Sequence, residues 1–160
     1  ATEVALRQAV EIGVEFDPAT INQAALDWAR TYSYRLVSNL IESTRGVVSH
    51  AIQQFTATPG MTTGQLEALL EPAFGAKRAE LIAITEVTRA YSQATLAYQQ
   101  MLTTAGIGMR RMWHTSADER VCVVCGPLDN KDERVWGEVY PDGPPAHPKC
   151  RCWLTLRLAR

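Results

Sequence analysis

Apolar positions recur every three or four residues through the first two thirds of the chain, and then yield to alternation near its end. Residues 3–12 read as the end of a short helix that stops near Gly13. Asp17-Pro18 reads as a helix start, with Asp as the cap and Pro in the first turn. From there to about Phe55 the spacing predicts one long helix. Ala25, Trp28, Ala29, Tyr32, Leu36 and Leu40 form its stripe, which Val47, Val48, Ile52 and Phe55 extend. Gly46 weakens it locally and permits a bend. A turn over 56–60 follows, and Thr62-x-x-Gln65 reads as a capping box for a short helix through about Leu70, broken by Glu71-Pro72 and Gly75.

The clearest element is a second long helix from about Lys77 to Thr104. Leu81, Ile84, Thr88, Tyr91, Thr95, Tyr98 and Leu102 share one face, and Gly106 supplies the stop. Two long helices joined by a short helical connection predict an antiparallel hairpin. After Gly108 the texture changes. Met109 to Ser116 reads as a strand, Pro, Gly and Asp become frequent, and Trp153 to Leu158 alternates as a closing strand does. The expected fold class is therefore α+β: a helical hairpin body over residues 1–108, and a small β-rich module over 109–160.

Composition alters this picture little. Hydrophobic residues make up 46% of the 160, enough for a core, and the net charge of −1 gives no overall pull toward nucleic acid. Residues 1–108 hold 7 Lys and Arg against 10 Asp and Glu, and residues 109–160 hold 9 against 7. That asymmetry is too small to mark a DNA-binding face. No apolar run approaches the ~20 residues that span a bilayer, so no membrane partner is expected. The start, Ala1-Thr2-Glu3-Val4, does not resemble a signal peptide. Its missing Met suggests processing or a longer parent product. The expected compartment is a reducing cytosol, where four cysteines within 31 residues favour metal over disulfides or free thiols.

Those cysteines carry the main chemical signal. Cys122-Val-Val-Cys125-Gly126 is followed by His147-Pro-Lys-Cys150-Arg-Cys152, with 21 residues between Cys125 and His147. Each pair separated by two residues lets two donors converge on one ion, and two such clips match the tetrahedral S and N preference of structural Zn2+. Five candidates compete for four places, because Cys152 can replace His147 or pack against the site. A module of about 50 residues gains much of its folding energy from such an ion. Four or five good ligands leave no open position for catalysis. The zinc deaminase signature is missing, since Val121 precedes Cys122 and no His-x-Glu occurs. A zinc-anchored nuclease needs a further histidine cluster, and only His50 and His114 remain.

Other signals are weaker. Glu86-x-x-Arg89 reads as a surface i,i+3 ion pair, or as a buried polar contact that ties the helix to the tail or to a partner. Trp28, Trp113, Trp136 and Trp153 are expected in the core. No phosphate-binding loop, nucleophile elbow or acid pair is present.

The string Trp113-x4-Asp118-x-x-Val121-Cys122-x-x-Cys125, followed by Leu128-Asp129-Asn130-Lys131 and Pro144-Pro145-Ala146-His147-Pro148-Lys149-Cys150-Arg151-Cys152, resembles the C-terminal signature of tailed-phage minor head proteins. This is the head-morphogenesis group that includes the Mu F-like proteins. Ile84 to Tyr91 is similar to the helix that precedes the signature. Asn130 stands where the family pattern suggests Gly, but Asn tolerates the left-handed conformation. The resemblance implies a non-enzymatic structural protein inside the phage head. Its partners would be the portal protein and other head proteins, with packaged DNA as a further candidate and no small-molecule substrate. It would act in head assembly, DNA packaging or DNA delivery, having passed through the host cytoplasm. It also implies a site of Cys122, Cys125, His147, Cys150 and Cys152, supported by Trp113 and Asp118. The alternatives from other classes are a zinc-ribbon nucleic-acid-binding module and a zinc-dependent nuclease.

Overall fold

The computed structural model describes residues 18–31 and 42–159. The expected helix over 3–12, the cap at Asp17 and the stripe residues Tyr32, Leu36 and Leu40 lie outside those residues. The described part contains helices α1 (Pro18–Thr31), α2 (Glu42–Ala57), α3 (Thr63–Phe74) and α4 (Ala76–Thr104). Strand β1 (Met109–His114), a 3-10 turn at Gly126–Leu128, the single-turn helix α5 (Glu133–Trp136) and strand β2 (Trp153–Leu158) follow. The class is α+β, as expected, with several helices and a two-stranded sheet.

The predicted hairpin of two long helices is not what forms. The Ser49 hydroxyl donates to the Ala29 carbonyl at 3.2 Å, whereas 20 residues of continuous helix would put them roughly 30 Å apart. Helices α1 and α2 therefore pack side by side rather than as one continuous helix, and among the described residues only α4 is long. The shared periodicity survives because both short helices press their stripes on the same core. Val48, Ala51 and Ile52 from α2 meet Ala25 and Ala29 from α1, Leu66 and Leu70 from α3, and the alanine face of α4. Seven of the twelve buried members of this cluster are alanine, which favours close approach of neighbouring helix axes.

At α3 the capping box forms in full. The Thr62 hydroxyl accepts from Gln65 N, and the Gln65 side chain accepts from Thr62 N. The helix does not stop at Pro72, as the sequence suggested, but runs to Phe74. Gly75, at φ 72°, separates it from α4. Pro72 forfeits one i→i−4 bond in the last turn, and burial of Leu66 and Leu70 holds the element.

Helix α4 has the expected length but a different buried face. Leu81 is exposed, while Ala79, Ile82, Ala83, Glu86, Ala90 and Ala94 are buried. Small residues weigh little in a hydrophobic pattern, yet they line the side on which the other helices pack. Toward the C-terminal end the predicted face holds: Tyr98 and Leu102 pack with Met109 and Leu156 of the two strands. Helix α4 thus touches the helical core along one stretch and the sheet along the next.

The strands pair antiparallel, Met109 opposite Leu158 through His114 opposite Trp153. On the other edge of β1, Trp113 N donates to Lys131 O and Asn130 N donates to Trp113 O. Asn130 adopts φ 56° in that turn, the left-handed conformation expected of it. The tail is less β-rich than expected, since turns and short helical segments fill most of 115–152. Prolines and close cysteine clips favour turns over ladders.

Candidate metal centre

The two cysteine clips come from opposite sides of the loop between β1 and β2 and meet over a tryptophan floor. Cys122 Sγ lies 3.1 Å and Cys125 Sγ 3.3 Å from His147 Nε2. Cys125 Sγ and Cys150 Sγ are 3.7 Å apart. Two overlapping triads result, Cys122–Cys125–His147 and Cys125–Cys150–Cys152, each close enough to hold a metal ion. Cys125 belongs to both. All four cysteines are free of disulfides, and the cavity they line has a volume of about 30 Å³, room for one small ion.

Each clip is oriented differently. In the first, Cys125 N donates to Cys122 Sγ at 3.4 Å, and Gly126 N donates to Cys122 O at 2.9 Å. This turn organises itself. In the second, Nδ1 of His147 lies 2.8 Å from the Pro148 carbonyl. A proton on Nδ1 leaves the Nε2 lone pair facing the sulfurs, the usual way a ligating imidazole is set. Lys149 sits at φ 62°.

The electrostatics also suit a cation. Hydrogen bonding from Cys152, and then from backbone amides, brings the Cys150 thiol down to about 5 against the opposition of burial. Burial, then the Cys150 charge, pushes Cys125 up to about 12. Cys152 is raised further, first by its bond to Cys150 and then by burial. Cys122 is lowered, chiefly by the Cys125 amide. Burial pulls His147 down, but its bond to Pro148 O and the nearby Cys150 and Cys122 sulfurs raise it overall. The charge of a Cys150 thiolate thus disfavours ionisation of Cys125 and Cys152. A divalent cation would relieve that repulsion and admit further thiolates.

The supports lie where they can act on both clips. Trp113 is fully buried with Cys125, Cys150 and Cys152, and it meets Trp136 edge-on at 5.4 Å. Asp118 takes two bonds from Arg151, at 2.7 and 2.9 Å, which ties the approach to the first clip to the second. That pairing holds the Asp118 carboxyl down at about 2. Of the tryptophans, Trp113 and Trp136 are core, while Trp28 and Trp153 are half-buried.

Glu86 and Arg89 are not part of the cluster, nor are they a surface pair. Glu86 is 0% exposed within the helical body, its carboxylate 3.8 Å from Arg89 Nε, and burial raises it to about 7 although Arg89 pulls the other way. Of the two readings the sequence left open, a surface i,i+3 pair or a buried polar contact, the structure shows the buried one. The alanine face brings neighbouring helices over it.

Other contacts had no sequence signal of their own. Thr85 Oγ1 accepts from Lys149 N and Thr88 Oγ1 donates to Cys150 O, both at 2.8 Å. Arg111 is buried, donates to Glu133 and to Pro141 O, and lies over the Trp136 ring.

Among the described residues His50 and His114 join no metal-binding group; His114 Nε2 instead lies 2.7 Å from the Thr155 hydroxyl. No helix there is long and apolar enough to cross a membrane.

Comparison with known proteins yields one family. The family described as "Phage Mu protein F like protein" matches residues 46–155. No curated protein and no solved structure matches the chain. The matched span runs from α2 through both cysteine clips into β2 and covers more than half of the chain, so the protein belongs to the phage Mu F-like head morphogenesis family.

Proposed function

We propose that this chain is a structural, non-enzymatic minor head protein of a tailed phage. It resides inside the head near the portal and acts in assembly, DNA packaging or DNA delivery. Family membership, which points to a phage head protein, is the observation that carries this reading. The proposed partners are the portal protein and other head proteins, with packaged DNA as a further candidate.

In this reading a structural zinc ion fastens the tail. Tetrahedral zinc, with bonds of ~2.3 Å to sulfur and ~2.0 Å to nitrogen, sets donors ~3.5–3.8 Å apart. The Cys125–Cys150 separation of 3.7 Å matches, and the sulfur–nitrogen distances of 3.1 and 3.3 Å need only slight widening. Cys122, Cys125, His147 and Cys150 are the proposed ligands; the two triads share Cys125 alone, so Cys150 would draw closer to the first clip around the ion, with Cys152 packed beside it. The ion would supply cross-linking, and the protein supplies the donors and a dry floor.

The nucleic-acid alternative gains nothing from the charges around the site. Lys149 pairs with Glu80 and Arg151 with Asp118. A hydrolase reading lacks a histidine cluster among the described residues. The test is mass spectrometry of purified mature heads, with and without external protease. Presence with protection is expected. Absence from heads, or digestion by external protease, would overturn the internal location.

A further inference from the structure

The two clips differ in what holds them. The first is closed by its own amide and by Gly126. The second has no glycine where it needs one: Lys149 adopts φ 62°, a conformation that residues with a Cβ rarely take. Its support comes from outside the module. The Thr85 hydroxyl donates to the Leu81 carbonyl at 2.7 Å, so its lone pairs are left for Lys149 N–H at 2.8 Å. One turn further along α4, Thr88 Oγ1 donates to the Cys150 carbonyl at 2.8 Å. These bonds grip the amide of Lys149 and the carbonyl of Cys150, the peptide groups on either side of the two residues. They constrain the backbone that aims Cys150 Sγ toward Cys125.

We propose that Thr85 and Thr88 are positioning residues of the metal site, and that metal affinity is thereby coupled to the docking of the tail on α4. The inference rests on the metal-binding reading above. Outer partners that orient ligands typically contribute about 10–100-fold to metal affinity. Linkage makes the effect reciprocal: the bound ion tightens the grip of the tail on the helical body.

The test uses the full chain, zinc competition against a chromophoric chelator, and the visible spectrum of the cobalt(II) form. Thr85→Val and Thr88→Val keep side-chain bulk and remove the hydroxyl. Each is expected to weaken zinc binding about 10–100-fold and to alter the cobalt bands, with unchanged helical circular dichroism. Thr85→Ser and Thr88→Ser should restore both properties. Thr95, whose hydroxyl bonds the Tyr91 carbonyl at 2.9 Å, is the control. Zinc affinities for both valine variants within about twofold of wild type, or an equal loss in Thr95→Val, would sink the proposal, since an orienting role predicts far more. A wild-type chain that takes up neither zinc nor cobalt would overturn the metal reading and this inference with it.

Discussion

Cys125 is the donor both triads share, so neither triad is complete without it. Cys125→Ser should abolish stoichiometric zinc binding. Cys152→Ser should retain a full equivalent, because Cys150 already lies at a ligand-like distance from Cys125. Metal analysis of the purified variants checks both, and loss of zinc in Cys152→Ser would exchange the roles of Cys150 and Cys152. Glu86 makes a second residue-scale prediction. Its folded pKa of about 7 lies above the ordinary 4.5, so the folded state holds the proton more tightly. Its contribution is fully present below about pH 4.5 and is lost as pH rises toward 7. Glu86→Gln should therefore be more stable than wild type at pH 8, by on the order of 3 kcal/mol relative to the difference at pH 4.5. Urea midpoints at the two pH values measure that difference, and a pH-independent gap would refute the assignment.

At the scale of elements, the loop between α5 and β2 decides whether the second clip reaches the first. Gly143 N donates to Tyr140 O at 2.8 Å, and Gly143 sits at φ 76°. A Cβ there would lie 2.7 Å from Leu154 Cδ1. Strain and overlap act together, so Gly143→Ala should cost about 1–3 kcal/mol. Thermal unfolding of the metal-bound protein is the measurement, and an unchanged midpoint would show that the loop shifts without cost. The sequence showed that Pro, Gly and Asp become frequent in this part of the chain. It did not show that Leu154 of the following strand fills the space beside Gly143.

At the scale of the molecule, α4 joins two of the three hydrophobic clusters and reaches the cysteine module through hydrogen bonds. Its alanine face joins the helical core, its two threonines meet the second clip, and Tyr98 and Leu102 meet the sheet. Gln99 adds a link, donating to Met109 O and to Glu133, which in turn accepts from Arg111. Chelation of the metal should therefore loosen Trp113 and Trp136 while leaving most of the helix. The expected outcome is loss of near-ultraviolet circular dichroism with a largely preserved far-ultraviolet signal. An unchanged near-ultraviolet spectrum after verified metal removal would mean that hydrophobic packing alone holds the tail.

The sequence by itself determined the features set by local spacing. These include the capping box at Thr62, the extent and stop of α4, the two strands, the left-handed turn at Asn130 and the two clips, all of which depend on residues a few positions apart. It did not determine that α1 and α2 pack side by side, because both helices present the same period to one core. Nor did it choose between the surface and buried readings of Glu86, or reveal the placement of Thr85 and Thr88 against the second clip. Alanine and threonine carry almost no hydrophobic signal, and what they touch depends on segments up to 64 residues away. Only the tertiary structure, by packing those segments against one helix, decided that a polar pair becomes buried and that two hydroxyls grip the second cysteine clip.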